Sequence, residues 1–185
     1  RRSNRDFMRI AGIRREILGR RIYEESSGCI RYGDFKGLKL VSHRWGARDL
    51  GSIILGEYER NIVEYINQVD LTRTTFVDVG AADGFYAVGL LHNGRMKRSI
   101  CFESSEDGRT SIGVNASANG VQSAISIRGT ASKLFAKELL DELGDELKNS
   151  VFLFDIEGGE FDLLTNENLK ILQNSILIVE LHKET

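Results

Sequence analysis

The sequence predicts an α/β protein: a doubly wound, mostly parallel Rossmann-like sheet of five strands behind an N-terminal helical and hairpin extension. Three observations predict it. From Thr75 onward, apolar runs without polar alternation at residues 76–79, 99–102, 124–127, 151–154 and 176–181 alternate with stretches of helical period. Such runs are buried on both faces, and helical crossovers between them make a parallel sheet covered on each side. Glycines fall just after several of these runs, where the chain must turn or approach a ligand closely. The chain has 185 residues, 41% hydrophobic and 28% charged, which is the size and composition of one folded core and not of a disordered or disulfide-stapled chain. Right-handed crossovers then leave the doubly wound order as the simplest topology.

In chain order, residues 1–21 carry eight arginines against Asp6 and Glu16, 8 − 2 = +6, leaving −8 for the rest of a chain of net charge −2. Phe7, Ile10, Ile13 and Ile17 with Leu18 recur at helical spacing, predicting an amphipathic helix that packs through Phe7, Ile10 and Ile17 and turns its arginines outward. The alternative is an arm for phosphates or a membrane surface. Residues 29–32 and 38–41, separated by Gly33, Asp34 and Gly37, predict a hairpin. Residues 50–66 predict a second long helix. Residues 1–70 are thus expected to pack on or cap a domain of residues 71–185. Within that domain helices are expected from Phe85, over 107–118, over 133–143 and from Gly159.

Several classes are set aside by composition. A net charge of −2 gives no global field for polyanions. Cys29 and Cys101, the only cysteines, are too few for a stapled module or a zinc site and fit a reducing compartment. No apolar run reaches the ~18 residues of a membrane span, and the basic start lacks a signal peptide's apolar core, so a cytoplasmic protein is expected. Without an initiator Met, and with Thr185 four residues past an apolar run, both ends are read as cuts.

The chemistry is expected beyond the carboxyl ends of the strands, where chain order reverses. The first strand runs into Asp78-Val79-Gly80-Ala81-Ala82-Asp83-Gly84-Phe85. This fails the dinucleotide fingerprint, with Ala82 and Phe85 where glycines are wanted, so pyrophosphate binding is poorly supported. Asp78 and Asp83 suit a ligand with cationic groups. Glu103 ends the second strand, nineteen residues past Gly84, where a carboxylate can accept both hydroxyls of a ribose. Glycine turn, cationic ligand and ribose clamp together describe S-adenosylmethionine, with Asp78, Gly80, Ala81, Asp83, Gly84 and Glu103 as candidate cofactor residues.

From about residue 48 to 184 the sequence resembles the FkbM-type S-adenosylmethionine-dependent methyltransferases. The residues that carry the resemblance are Leu55-Gly56-Glu57-Tyr58-Glu59, Phe76-Val77-Asp78-Val79-Gly80-Ala81, Phe102-Glu103 with Asn115 and Asn119, Phe154-Asp155-Ile156-Glu157-Gly158-Gly159-Glu160, and Val179-Glu180-Leu181-His182. The resemblance implies that Asp155 and Glu157 lie between cofactor and acceptor. The chain departs from the family at Ala82-Asp83, at Ser104 in place of Pro, and at Leu153 in place of a Lys. Asp155, Glu157 and His182 are the candidate catalytic residues, one of them taking the proton of an acceptor hydroxyl. Glu160 is expected at the third position of a helix, as a cap. No metal is expected, because the spacing matches no dedicated metal motif.

The expected activity is O-methylation of a small molecule or a sugar, the acceptor class coming from the resemblance. Nucleic acid is an unlikely partner, since proline-bearing amino-methyltransferase motifs are impossible in a chain without proline. The rivals are a nucleic-acid methyltransferase using the arginine arm and an inactive nucleoside-binding or assembly module. A homo-oligomer is left open. His43, Arg44, Trp45 and Arg48 could line an acceptor pocket, or Trp45 could anchor the extension.

Overall fold

Five apolar runs become one parallel sheet: β1 (Thr75–Val79), β2 (Arg98–Phe102), β3 (Ile125–Arg128), β4 (Ser150–Phe154) and β5 (Ile176–Val179). The computed structural model describes residues 2–43, 48–156 and 158–181, with residues 2–8 described by backbone alone. Strand order is β3-β2-β1-β4-β5, so the chain order reverses between β1 and β4. Val79 stands level with Phe102 on one side and Phe154 on the other, which brings three strand ends to one height. This is the doubly wound Rossmann-like architecture.

Alternation along each strand feeds two cores. Phe76, Cys101, Val151 and Leu153 pack with α4 (Phe85–His92), α5 (Glu106–Ala118) and the extension. Val77, Val79, Ile100, Phe102, Phe152 and Phe154 pack on the opposite face with α6 (Phe135–Leu143), Leu163 and Leu172. The helix expected from Gly159 is two short ones, α7 (Glu160–Leu163) and α8 (Asn166–Ile171). Thr165 separates them, its hydroxyl accepting from the Asn168 N–H at 3.3 Å as the cap of α8.

The extension differs most from expectation. Its first helix, α1 (Arg2–Ser26), is present, but Ile10 and Ile17 are 53% and 60% exposed, and the Phe7 side chain lies outside the described residues. The docking face is instead Gly12, Arg15, Gly19 and Ile22, spaced at helical period. A Cβ on Gly51 would lie 3.5 Å from Gly19 Cα, and Arg15 Nε donates to Arg48 O at 2.9 Å. Backbone approach at glycine, and not the isoleucine stripe, sets how α1 sits.

The long helix over 50–66 is broken into α2 (Leu50–Leu55) and α3 (Arg60–Gln68). Gly56 ends α2 at φ 75°, and a Cβ there would lie 2.2 Å from Tyr32 O, so the turn must be glycine. The hairpin is reduced to one bridge, Cys29 with Lys39. Ile30 N still donates to Leu38 O and Leu40 N to Gly28 O, each at 2.9 Å, but other backbone groups are taken by distant partners: Arg31 N donates to Ile54 O at 2.8 Å, and Asn119 takes both Lys39 N at 2.9 Å and Lys39 O at 2.8 Å. Among the described residues no helix is long and apolar enough to cross a membrane.

Candidate functional site

Above the reversal point opens a cavity of about 740 Å³, a volume suited to a small-molecule ligand. Its floor is the glycine turn. Gly80 has φ 98°, and a Cβ there would lie 1.9 Å from Asp155 O, so only glycine lets the ends of β1 and β4 close together. Asp155 N donates to Val79 O at 3.0 Å and fixes the same junction.

Five N–H groups in and just past the turn are already engaged. Gly80 N and Ala81 N donate to Phe102 O at 2.9 and 3.1 Å, and Gly84 N to Ala81 O at 2.7 Å. Ala82 N donates to Glu103 Oε2 at 2.8 Å and Phe85 N to Asp83 Oδ1 at 3.2 Å. A phosphate nest needs such donors aimed at the ligand, so the missing dinucleotide fingerprint has a physical counterpart here.

Glu103 is oriented from both sides, since its Oε1 accepts from Ser105 N at 2.7 Å. A carboxylate offers about four acceptor positions, so about two remain. The approach depends on Gly108 in the first turn of α5, where a Cβ would lie 2.7 Å from Glu103 Cγ.

Asp78 lies behind the floor, 2% exposed, and its Oδ2 finds no hydrogen-bond partner among the described residues. Burial, and then the charge of Asp155, pushes its carboxyl up to about 8, while the Ala87 backbone N–H pulls the other way. Its register partner on β4 is Leu153, which is buried and offers no charge. Burial and the Asp155 charge both favour the uncharged acid at neutral pH.

The walls come from distant segments: Tyr58 and Glu59 from the extension, Thr130, Ala131 and Lys133 after β3, Asp155 and Ile156 after β4, and Glu180 after β5. Among the described residues that line the cavity, Glu59, Glu103, Asp155, Asp162 and Glu180 face a single lysine, Lys133. That lysine reaches Asp162 at 3.9 Å with both side chains mostly exposed, a pair worth little. Tyr86 donates its hydroxyl to Glu59 Oε2, and Tyr58 is also hydrogen-bonded to Glu59. Burial first, and then Glu59, raises both phenols, so both keep their protons.

Among the expected residues, Gly80, Glu103 and Asp155 line the cavity. Ala81, Asp83 and Gly84 stand behind the wall with Asp78, and Asp83, fully buried, accepts at its carbonyl from Asn115 Nδ2 at 2.9 Å. Glu157, His182, Arg44 and Trp45 lie outside the described residues. Glu160 is the first residue of α7, not the third, and its Oε1 accepts from Ile156 N and Gly158 N, each at 3.3 Å, shaping the loop after β4. No group of three or more potential metal-ligating side chains occurs among the described residues. Tyr58, Glu59, Tyr86, Gly108 and Thr130 were not anticipated as site residues. Glu59 had a signal, its place in the upstream motif, but no role attached to it.

No protein-family model matches the chain, and no curated protein matches it. Solved structures do. A candidate tRNA (m1A22) methyltransferase from Streptococcus pneumoniae is 24% identical over 64% of this chain and 51% of its own, with a TM-score of 0.45. A protein of the NADB-Rossmann superfamily from Streptococcus agalactiae is 20% identical over 63% of this chain and 50% of its own, at 0.47. An O-methyltransferase family protein from Burkholderia thailandensis is 13% identical over 74% of this chain and 42% of its own, at 0.46. The chain spans about half the length of the structures it matches.

Proposed function

We propose that the cavity binds S-adenosylmethionine and that the protein is an S-adenosylmethionine-dependent methyltransferase of FkbM type, acting on a hydroxyl of a small molecule or sugar. The observation that carries this is the pairing of an internally satisfied glycine turn with a backbone-oriented carboxylate, Glu103, at the neighbouring strand end. The turn leaves few donors for a pyrophosphate, while Glu103 keeps acceptor positions for two ribose hydroxyls. Carboxylate-rich walls favour a ligand bearing positive groups. Val79, Phe102, Ile156 and Leu163 supply apolar surface for a base and methylenes.

Bound there, the cofactor supplies an electrophilic methyl group on a sulfonium. The chain's own work is to align an acceptor with it and to take the acceptor's proton. Asp155, at the Gly80 junction, is the described residue best placed for the second task, with Glu157 and His182 as further candidates. No metal is needed in this scheme. Residues 1–70 would act as a cap, since Tyr58 and Glu59 form one wall. Two free cysteines fit a cytoplasmic setting.

The carboxylate walls disfavour a polynucleotide acceptor. Calorimetry with S-adenosylmethionine and S-adenosylhomocysteine, followed by mass spectrometry of candidate hydroxyl acceptors, tests the proposal. Binding without any transfer would favour the inactive nucleoside-binding module, and no binding would overturn the cofactor assignment.

A further inference from the structure

Glu59 sits at the start of α3 with φ 43°, and its side chain makes no capping bond there. A non-glycine residue in this region costs on the order of 1 kcal/mol. Among the described residues only Ser27, Glu59 and Ala82 adopt it without being glycine, and two of these three line the same cavity. The Glu59 carboxylate is instead committed to Tyr86 and Tyr58. Both phenols are donors, so Glu59 only accepts, and of its roughly four acceptor positions about two remain for the cavity it lines.

The hydrogen bonds also locate it. Tyr86 is the second residue of α4, directly beyond the glycine turn, whereas Glu103 is bonded to Ala82 within that turn. The turn therefore lies between two oriented carboxylates, one supplied by β2 and one by the extension. A ligand whose ribose meets Glu103 and which lies across the turn presents its other end to Glu59.

We propose that Glu59, positioned by Tyr86, binds the α-ammonium at the amino-acid end of the cofactor. This rests on the S-adenosylmethionine assignment above. It gives the extension a part in ligand selection: a nucleoside without the ammonium loses this contact, while its ribose contact with Glu103 is retained.

Calorimetry on the full chain tests it with two probes, S-adenosylhomocysteine and its analogue carrying hydrogen in place of the amino group. Glu59→Gln should weaken S-adenosylhomocysteine roughly 10- to 100-fold, the range for a hydrogen bond to a charged group, and the deaminated analogue by less than about 3-fold. Tyr86→Phe should act in the same direction and more weakly, again sparing the analogue. The analogue also reports whether each variant keeps its folded site. Equal weakening of both probes, or no weakening of S-adenosylhomocysteine, overturns the assignment of Glu59. If the unsubstituted protein binds neither probe, the cofactor assignment itself fails, a result distinct from both.

Discussion

Across the junction of β1 and β4, the register partner of Asp78 is Leu153, and among the described residues the buried carboxyl has no cation beside it. Its folded pKa, about 8, is above the unfolded value near 3.9. The folded state thus holds an extra proton between about pH 4 and 8, and stability falls as pH rises through that window, by up to about 1.4 kcal/mol per pH unit from this group. Asp78→Asn removes this component, so its urea midpoint should gain on the unsubstituted protein between pH 5 and pH 8. Leu153→Lys should flatten the same fall by supplying the counter-charge. A constant difference between the two midpoints would mean that Asp78 does not titrate in this range. At Glu103, substitution by Ala should weaken S-adenosylhomocysteine by about 1.5 to 3 kcal/mol. Gly108→Ala should do part of the same, because the new methyl meets Glu103 Cγ, and calorimetry on both variants measures it. Glu103 was legible from its spacing to the glycine turn. Gly108 was not, because its contribution is the absence of a side chain where another element's carboxylate passes.

The elements of the sheet were legible because strands buried on both faces leave unbroken apolar runs, and the observed ends fall within two residues of those runs. The extension was not, because its shape is set by partners far along the chain. Asn115 shows how. Its Oδ1 accepts from Val41 N and Ser42 N at 2.9 and 3.0 Å, and its Nδ2 donates to Ser42 O at 2.6 Å and Asp83 O at 2.9 Å. One side chain on α5 thus fastens the extension to the glycine turn. Asn119, four residues and just over one helical turn beyond Asn115, ends α5 and clamps Lys39 as well. From sequence these asparagines read equally as helix stops or ligands; a clamp on backbone 73 residues away in sequence leaves no periodic trace. Asn115→Ala should destabilise the fold by roughly 2 to 4 kcal/mol, since it strands four backbone groups, one buried and three part-buried. Chemical denaturation checks it, and a loss under about 0.5 kcal/mol would show that the clamp is incidental.

For the molecule as a whole, the reversal of strand order was predictable from the crossovers, but the cavity it creates was only half so. Its floor follows from motifs, whereas its walls draw on segments from Tyr58 to Glu180 that share no spacing. Turnover should depend on the wall residue that meets the floor at the Gly80 junction: Asp155→Asn should lower the rate of methyl transfer by about 10² to 10⁴ while leaving S-adenosylhomocysteine affinity nearly unchanged. Full activity in this variant, measured by mass spectrometry on an identified acceptor, would remove Asp155 from proton transfer. The strand order β3-β2-β1-β4-β5 also has a consequence for how the chain is made. β1 gains its first neighbour, β2, soon after it leaves the ribosome, but its other edge waits for Phe154, 154 − 79 = 75 residues after Val79. At ordinary translation speeds that is roughly 4 to 15 seconds. Throughout that interval the central strand of the finished sheet is an open edge, and this nascent half-sheet is where a chaperone would be needed most.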